Sequence, residues 1–121
     1  MEFLVGAGSM FILDSVYLSM AKPTWRAMIK NIQGTELKVR MLSAVGVYVL
    51  MSFGLYYFII KPKRTVFDAA LLGLIIYGVF DLTNHAIFSK YNLVTGLTDM
   101  VWGSVLFAST AYIVKKLMLV L

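Results

Sequence analysis

Three aspartates, Asp14, Asp81 and Asp99, fall inside long apolar runs of this 121-residue sequence. A carboxylate in hydrocarbon costs at least ~2.5–3.5 kcal/mol even on the most permissive insertion scale, so each needs a partner or a purpose. Let side A be the membrane face holding both termini and side B the opposite face. At ~1.5 Å rise per residue, Asp14 lies ~11 Å in from side B, Asp81 reaches the same depth on a run that crosses the other way, and Asp99 sits ~6–8 Å in. Tyr48 falls close to that level. On a helix Tyr77, Asp81, Asn84 and Phe88 share one face, while Asp14 has Tyr17 and Asp99 has Trp102-Gly103 about one turn away.

This placement predicts a polar intramembrane cluster of Asp14, Asp81, Asn84 and Asp99, with Tyr48, Tyr77 and Trp102 around it, in the side B half of the bilayer. Carboxylates crowded in a low dielectric cannot all ionise, so at least one is expected to keep a proton near neutral pH. Such a site can relay protons, bind a cation, or hold an amine or hydroxyl ligand. The competing reading is interhelical glue, in which the acids hydrogen-bond to Tyr, Thr, Asn or Arg40 at ~0.6 kcal/mol per contact on average. A binding site needs a cavity that reaches the acids; glue needs a dry, fully paired cluster.

Other chemistries find less support. His85 is the only histidine and lies off the Asp81/Asn84 face, so it reads as an interfacial residue, and no metal site is expected. With no cysteine there is no thiolate nucleophile or disulfide. Gly-rich phosphate loops, nucleophile elbows and paired-histidine zinc motifs are missing from the sequence. No cofactor is expected, and a membrane enzyme acting on lipid ranks third behind a ligand site and a structural or assembly protein.

The elements that must position the acids follow from composition. Hydrophobic residues make up 60% of the chain and charged ones 14%, against roughly a quarter charged in soluble domains. Mean hydropathy is +0.84. The apolar excess is gathered into runs of spanning length, which gives one integral membrane domain over residues 1–121 and four spans. Span one covers about residues 3–21 and is expected to end at Lys22-Pro23, since proline disfavours a helical residue before it. Glu2 and Asp14 argue against a cleaved leader, so this span is read as retained.

Residues 24–33 carry Trp25, Met28, Ile29 and Ile32 on one helical face and Arg26 and Lys30 on the other. That pattern predicts a short amphipathic helix in the side B interface. Gly34 is expected to end it, with Thr35 capping the next helix and Glu36 in its first turn. Span two runs from Leu37 or Met41 to Ile60 and closes at Lys61-Pro62-Lys63-Arg64. Span three covers about 66–88, and span four about 94–114, ending at Lys115-Lys116 before an apolar tail over 117–121. Short connections make successive helices antiparallel neighbours, so the fold class is an all-α, up-down four-helix transmembrane bundle. Ala69/Gly73 and Ser104/Ala108 are candidate close-approach pairs, and Trp25, Tyr56, Tyr57 and Tyr91 suit the interfacial belt.

Net charge is +5, but the basic residues flank the apolar runs. Lipid headgroups are therefore the expected partner and nucleic acid is not, with Trp25, Arg26, Lys30, Lys61, Lys63 and Arg64 at the membrane interface. Other membrane proteins or further copies of the chain are the remaining candidate partners. Five basic residues on side A against six on side B leave orientation undecided by charge.

Three segments carry a resemblance. Leu13-Asp14-Ser15-Val16-Tyr17-Leu18, Tyr77-Gly78-Val79-Phe80-Asp81-Leu82-Thr83-Asn84 and Thr98-Asp99-Met100-Val101-Trp102-Gly103 resemble the first-, third- and fourth-helix signatures of a family of small four-helix membrane proteins classed as a domain of unknown function. The resemblance spans nearly the whole chain and implies four spans with the same polar positions, without an activity. Tyr17 stands where that family's pattern has tryptophan, and His85 lies just outside the third signature.

Overall fold

A computed structural model describes residues 1–120. Helix α1 is Glu2–Gln33, α2 is Met41–Leu55 and runs on into a π-helical turn, Tyr56–Ile60, α3 is Val66–Ile87 and α4 is Leu93–Val120. Among the described residues there is no strand. Each helix, α2 taken with its π turn, is long and apolar enough to cross a membrane. The side chains turned outward are themselves apolar: Leu42 is 88% exposed, Leu50 72% and Val101 62%. A water-soluble bundle would present a polar outer face at these positions. The molecule is a multi-pass membrane protein that turns aliphatic side chains outward.

The helix boundaries correct the sequence reading in four places. Lys22-Pro23 does not end the first helix: Pro23 lies inside α1, which continues unbroken to Gln33. No separate interfacial helix therefore stands between spans one and two. Proline removes one backbone hydrogen bond, and such a loss is tolerated where the surroundings re-satisfy the freed carbonyl. The apolar stripe of residues 24–33 supplies the compensating contacts. Met28 is buried and its Sδ accepts the backbone N–H of Asn92 at 3.2 Å, and Trp25 meets the Tyr91 ring edge-on at 6.0 Å between centroids. At ~1.5 Å per residue α1 is ~48 Å long, more than a ~30 Å hydrocarbon core needs, so its last turns extend beyond the span.

Gly34 does terminate α1, in the left-handed conformation at φ 78°. Thr35, however, caps nothing, because α2 starts only at Met41 with Arg40 at its N-cap. The intervening segment is tied back instead, with Gln33 Nε2 donating to the carbonyls of Thr35 and Glu36 at 3.1 and 3.0 Å. Glu36 pairs with Lys30 at 3.1 Å. Finally, Lys115-Lys116 does not end the fourth span: α4 continues to Val120, a lysine being a good helix former whose charge can reach the interface. Leu121 lies outside the described residues.

Helix α3 begins with a capping box. Thr65 Oγ1 accepts the Asp68 N–H at 3.1 Å and the Asp68 carboxylate accepts the Thr65 N–H at 3.3 Å, satisfying two free donors at the helix start. It then packs along α4 more closely than any other pair of helices. Gly73 sets that distance: a Cβ there would overlap the Gly103 carbonyl and Phe107 Cβ. Gly103 faces the Tyr77 ring just as tightly, and Ser104 Oγ donates to the Ala70 carbonyl at 3.0 Å. The core of Met10, Leu55, Leu106, Phe107, Ala111 and Val114 lies toward side A. Helix α1 packs on α4 and α2, and the π turn touches α1 and α4, whereas α2 and α3 are not closely packed together.

Candidate functional site

All three intramembrane aspartates are turned inward. Asp81 is 1% exposed, and Asp14 and Asp99 are each 6% exposed. Asp14, on α1, receives two donors from different helices: the indole Nε1–H of Trp102 on α4 at 2.9 Å and the hydroxyl of Tyr48 on α2. Asp99, on α4, accepts the Tyr17 hydroxyl of α1 at 3.2 Å. Asp81, on α3, accepts the Tyr91 hydroxyl at 2.5 Å through one oxygen, while its other oxygen, Oδ2, is buried without a hydrogen-bond donor.

The bonds on Asp14 and Asp99 join into one arrangement. Tyr17 stacks on Trp102 with centroids 4.8 Å apart and planes 6° from parallel, so the pair linking α1 to α4 also links Asp99 to Asp14. Every donor identified on the three acids is a neutral hydroxyl or indole N–H. Among the described residues the two ion pairs are Lys30–Glu36 and Arg64–Asp68, and neither involves these acids. Arg40, considered as a partner from the sequence, is exposed at the N-cap of α2. No group of three acidic or histidine side chains among the described residues is arranged to hold a metal ion.

The structure brings Tyr48 and Trp102 onto Asp14 and places Asp14, Asp99 and Tyr77 on one cavity, while Asp81 is buried on α3 against Tyr91 and does not line that cavity. Asn84 is half-buried and does not line that cavity. Two tyrosines escaped the sequence reading in their actual roles. Tyr17 stands one turn from Asp14 in the chain but bonds Asp99 across the helix interface. Tyr91 reads as a belt residue next to Lys90, yet it is 5% exposed and closes over Asp81. A glycine gives the only prior signal: a Cβ on Gly96, one turn into α4, would press on the Tyr91 ring. His85 is exposed.

The interface residues distribute as follows. Arg26 is exposed and Lys30 pairs with Glu36. Lys61 lies 5.3 Å over the Tyr57 ring, Lys63 occupies a left-handed turn at φ 59°, and Arg64 bonds Asp68 at 3.2 Å. Trp25 is half-buried against Tyr91 rather than free in the interface.

A cavity of about 480 Å³ opens between α2 and α3, at the place where those helices are not closely packed. Asp14, Tyr48, Tyr77 and Asp99 form its polar part, and Val47, Leu50, Met51, Ile76 and Phe80 are among its apolar walls. A second cavity of about 370 Å³ lies between α1 and α4, lined by Tyr17, Trp25 and three threonines, Thr24, Thr95 and Thr98.

Residues 1–115 match the family described as "Predicted membrane protein (DUF2177)", and the chain belongs to that family. Neither a curated protein nor a solved structure matches it.

Proposed function

Taking the chain as a member of that family of membrane proteins, we propose that it binds a small cationic or hydrogen-bond-donating ligand at Asp14 and Asp99, between its helices. The observation that carries this reading is the cavity of about 480 Å³ that reaches both carboxyls. Interhelical glue would need no such space. Among the described residues no cation pairs with these acids, and isolated buried carboxylates are expensive, so a ligand bearing positive charge or a proton completes the site electrostatically.

Trp102 provides the readout, because its indole N–H rests on Asp14. The only other tryptophan is Trp25, so a Trp25→Phe protein reports from the site alone. Methylammonium chloride should shift Trp102 emission saturably, and Asp14→Asn or Asp99→Asn should weaken that response at least tenfold while the protein stays folded. If methylammonium has no effect and Asp→Asn changes are silent while Asp→Leu loosens the bundle, the acids are glue and the reading fails.

A further inference from the structure

We infer that the ligand of this site is an ammonium-bearing amphiphile dissolved in the membrane, which enters sideways between α2 and α3 with its charged end on Asp14 and Asp99 and its tail along the cavity wall. The inference rests on the ligand-site reading above and names its ligand class.

Three observations lead there. The first is size. A water occupies about 30 Å³ in the liquid, so about 480 Å³ greatly exceeds what a proton or a small dehydrated cation fills. The second is wall chemistry. Away from the carboxyl and tyrosine end the lining is Val47, Leu50, Ile76 and Phe80, and apolar walls hold water poorly but accept a hydrocarbon chain. The third is where the opening faces. Val47, Leu50 and Phe80 line the cavity and are also 51, 72 and 54% exposed, so its mouth lies on the lipid-facing surface of the bundle.

Charge complementarity then fixes the head. Two carboxyls line the cavity, and a third acid, Asp81 on α3, is buried with one oxygen that receives no donor. Among the described residues, neutral hydroxyl and indole donors are the side-chain groups bonded to the three. An ammonium supplies both the missing positive charge and several N–H donors. An anionic or zwitterionic lipid head would bring a phosphate against these acids.

The test uses the Trp25→Phe protein in phosphatidylcholine nanodiscs with three probes, methylammonium, n-octylammonium and n-octanol, each expressed as its concentration in the membrane. Octylammonium should shift Trp102 emission at a concentration at least tenfold below methylammonium, and octanol should not shift it. Val47→Phe, which fills the mouth from the lipid side without adding an indole, should erase the octyl advantage and leave the methylammonium response in place; Ala44→Phe, on the same wall, serves equally if that protein does not fold. Equal potency of methylammonium and octylammonium would overturn lateral entry while leaving the acidic site standing. Octanol acting as well as octylammonium would overturn the charged-head assignment. Silence from both ammonium probes would remove the site reading itself.

Discussion

At the scale of single residues, the acids were legible because hydrocarbon penalises charge so strongly that each position demands an explanation. Their depths, taken from helix rise alone, brought residues of three different helices to one level, and the structure ties Asp14 and Asp99 across helices through hydroxyl and indole donors while Asp81 bonds Tyr91. Which donor serves which acid was not legible. Tyr17 lies three positions from Asp14 on the same helix, yet its hydroxyl belongs to Asp99 on α4, because crossing direction between helices decides such pairings and sequence spacing does not. Tyr91 shows the same limit. Beside Lys90 and Asn92 it has the composition of a boundary, and only the return of α1 over the α3–α4 connection buries it.

Burial, and after it the hydrogen bond to Asp81, pushes the Tyr91 hydroxyl up from the ordinary tyrosine range of about 10, so it serves as a neutral donor throughout the physiological range. A raised pKa means that this contribution is complete below the ordinary value and is lost as pH climbs through the raised one. Tyr91→Phe should then cost ~1–3 kcal/mol, the penalty of leaving a buried acceptor without its donor. Combining it with Asp81→Leu should recover much of the loss, since removing both partners leaves nothing unsatisfied. Thermal unfolding of the two single variants and the double variant in one detergent measures this; strictly additive losses would show that Tyr91 does not act through Asp81.

At the scale of elements, α3 and α4 follow their sequence closely, and the reason is local. Thr65 and Asp68 cap α3, and Gly73 and Gly103 let the two backbones approach. Ala69/Gly73 was readable as half of that contact, whereas Gly103 was visible only as part of a Trp-Gly signature. Its function in packing emerges when the Tyr77 ring is found lying on it. Helix α1 departs from its sequence because the local rule, that a residue before proline leaves the helix, competes with tertiary contacts made by Trp25 and Met28 further on. The contacts prevail. If so, Pro23 is a residual cost carried within a continuous helix, and Pro23→Ala should raise stability by up to ~3 kcal/mol, the interior penalty of proline. Circular dichroism should show unchanged helix content. A gain of a full turn or more would mean that α1 is broken at Pro23 in the membrane.

At the scale of the whole molecule, the four spans were legible from hydropathy because a bilayer reverses the usual surface rule: side chains such as Leu42, Leu50 and Val101 can face outward only if hydrocarbon surrounds them. The cavity between α2 and α3 was not legible, since it arises from which helices fail to touch, and sequence periodicity specifies only which faces are apolar. Orientation stays balanced for the same reason at both levels: basic residues guard both ends of the bundle.

The topology itself makes a prediction that the absence of native cysteine renders clean to test. Single cysteines placed at Met10, Leu50, Ile76 and Leu106 should resist a membrane-impermeant thiol reagent, for two different reasons. Met10 and Leu106 are enclosed by protein at 0% exposure, while Leu50 is 72% exposed and can be shielded only by lipid. Cysteines at Lys30, Lys63 and Lys90 should react, with Lys30 and Lys90 reached from one face of sealed vesicles and Lys63 from the other, because α2 and α3 carry the chain across the bilayer and back between them. Rapid labelling at Leu50 in intact membranes would remove the lipid contact. Labelling of Lys30 and Lys63 from the same face would overturn the antiparallel order of the helices, and with it the shared depth of Asp14 and Asp81.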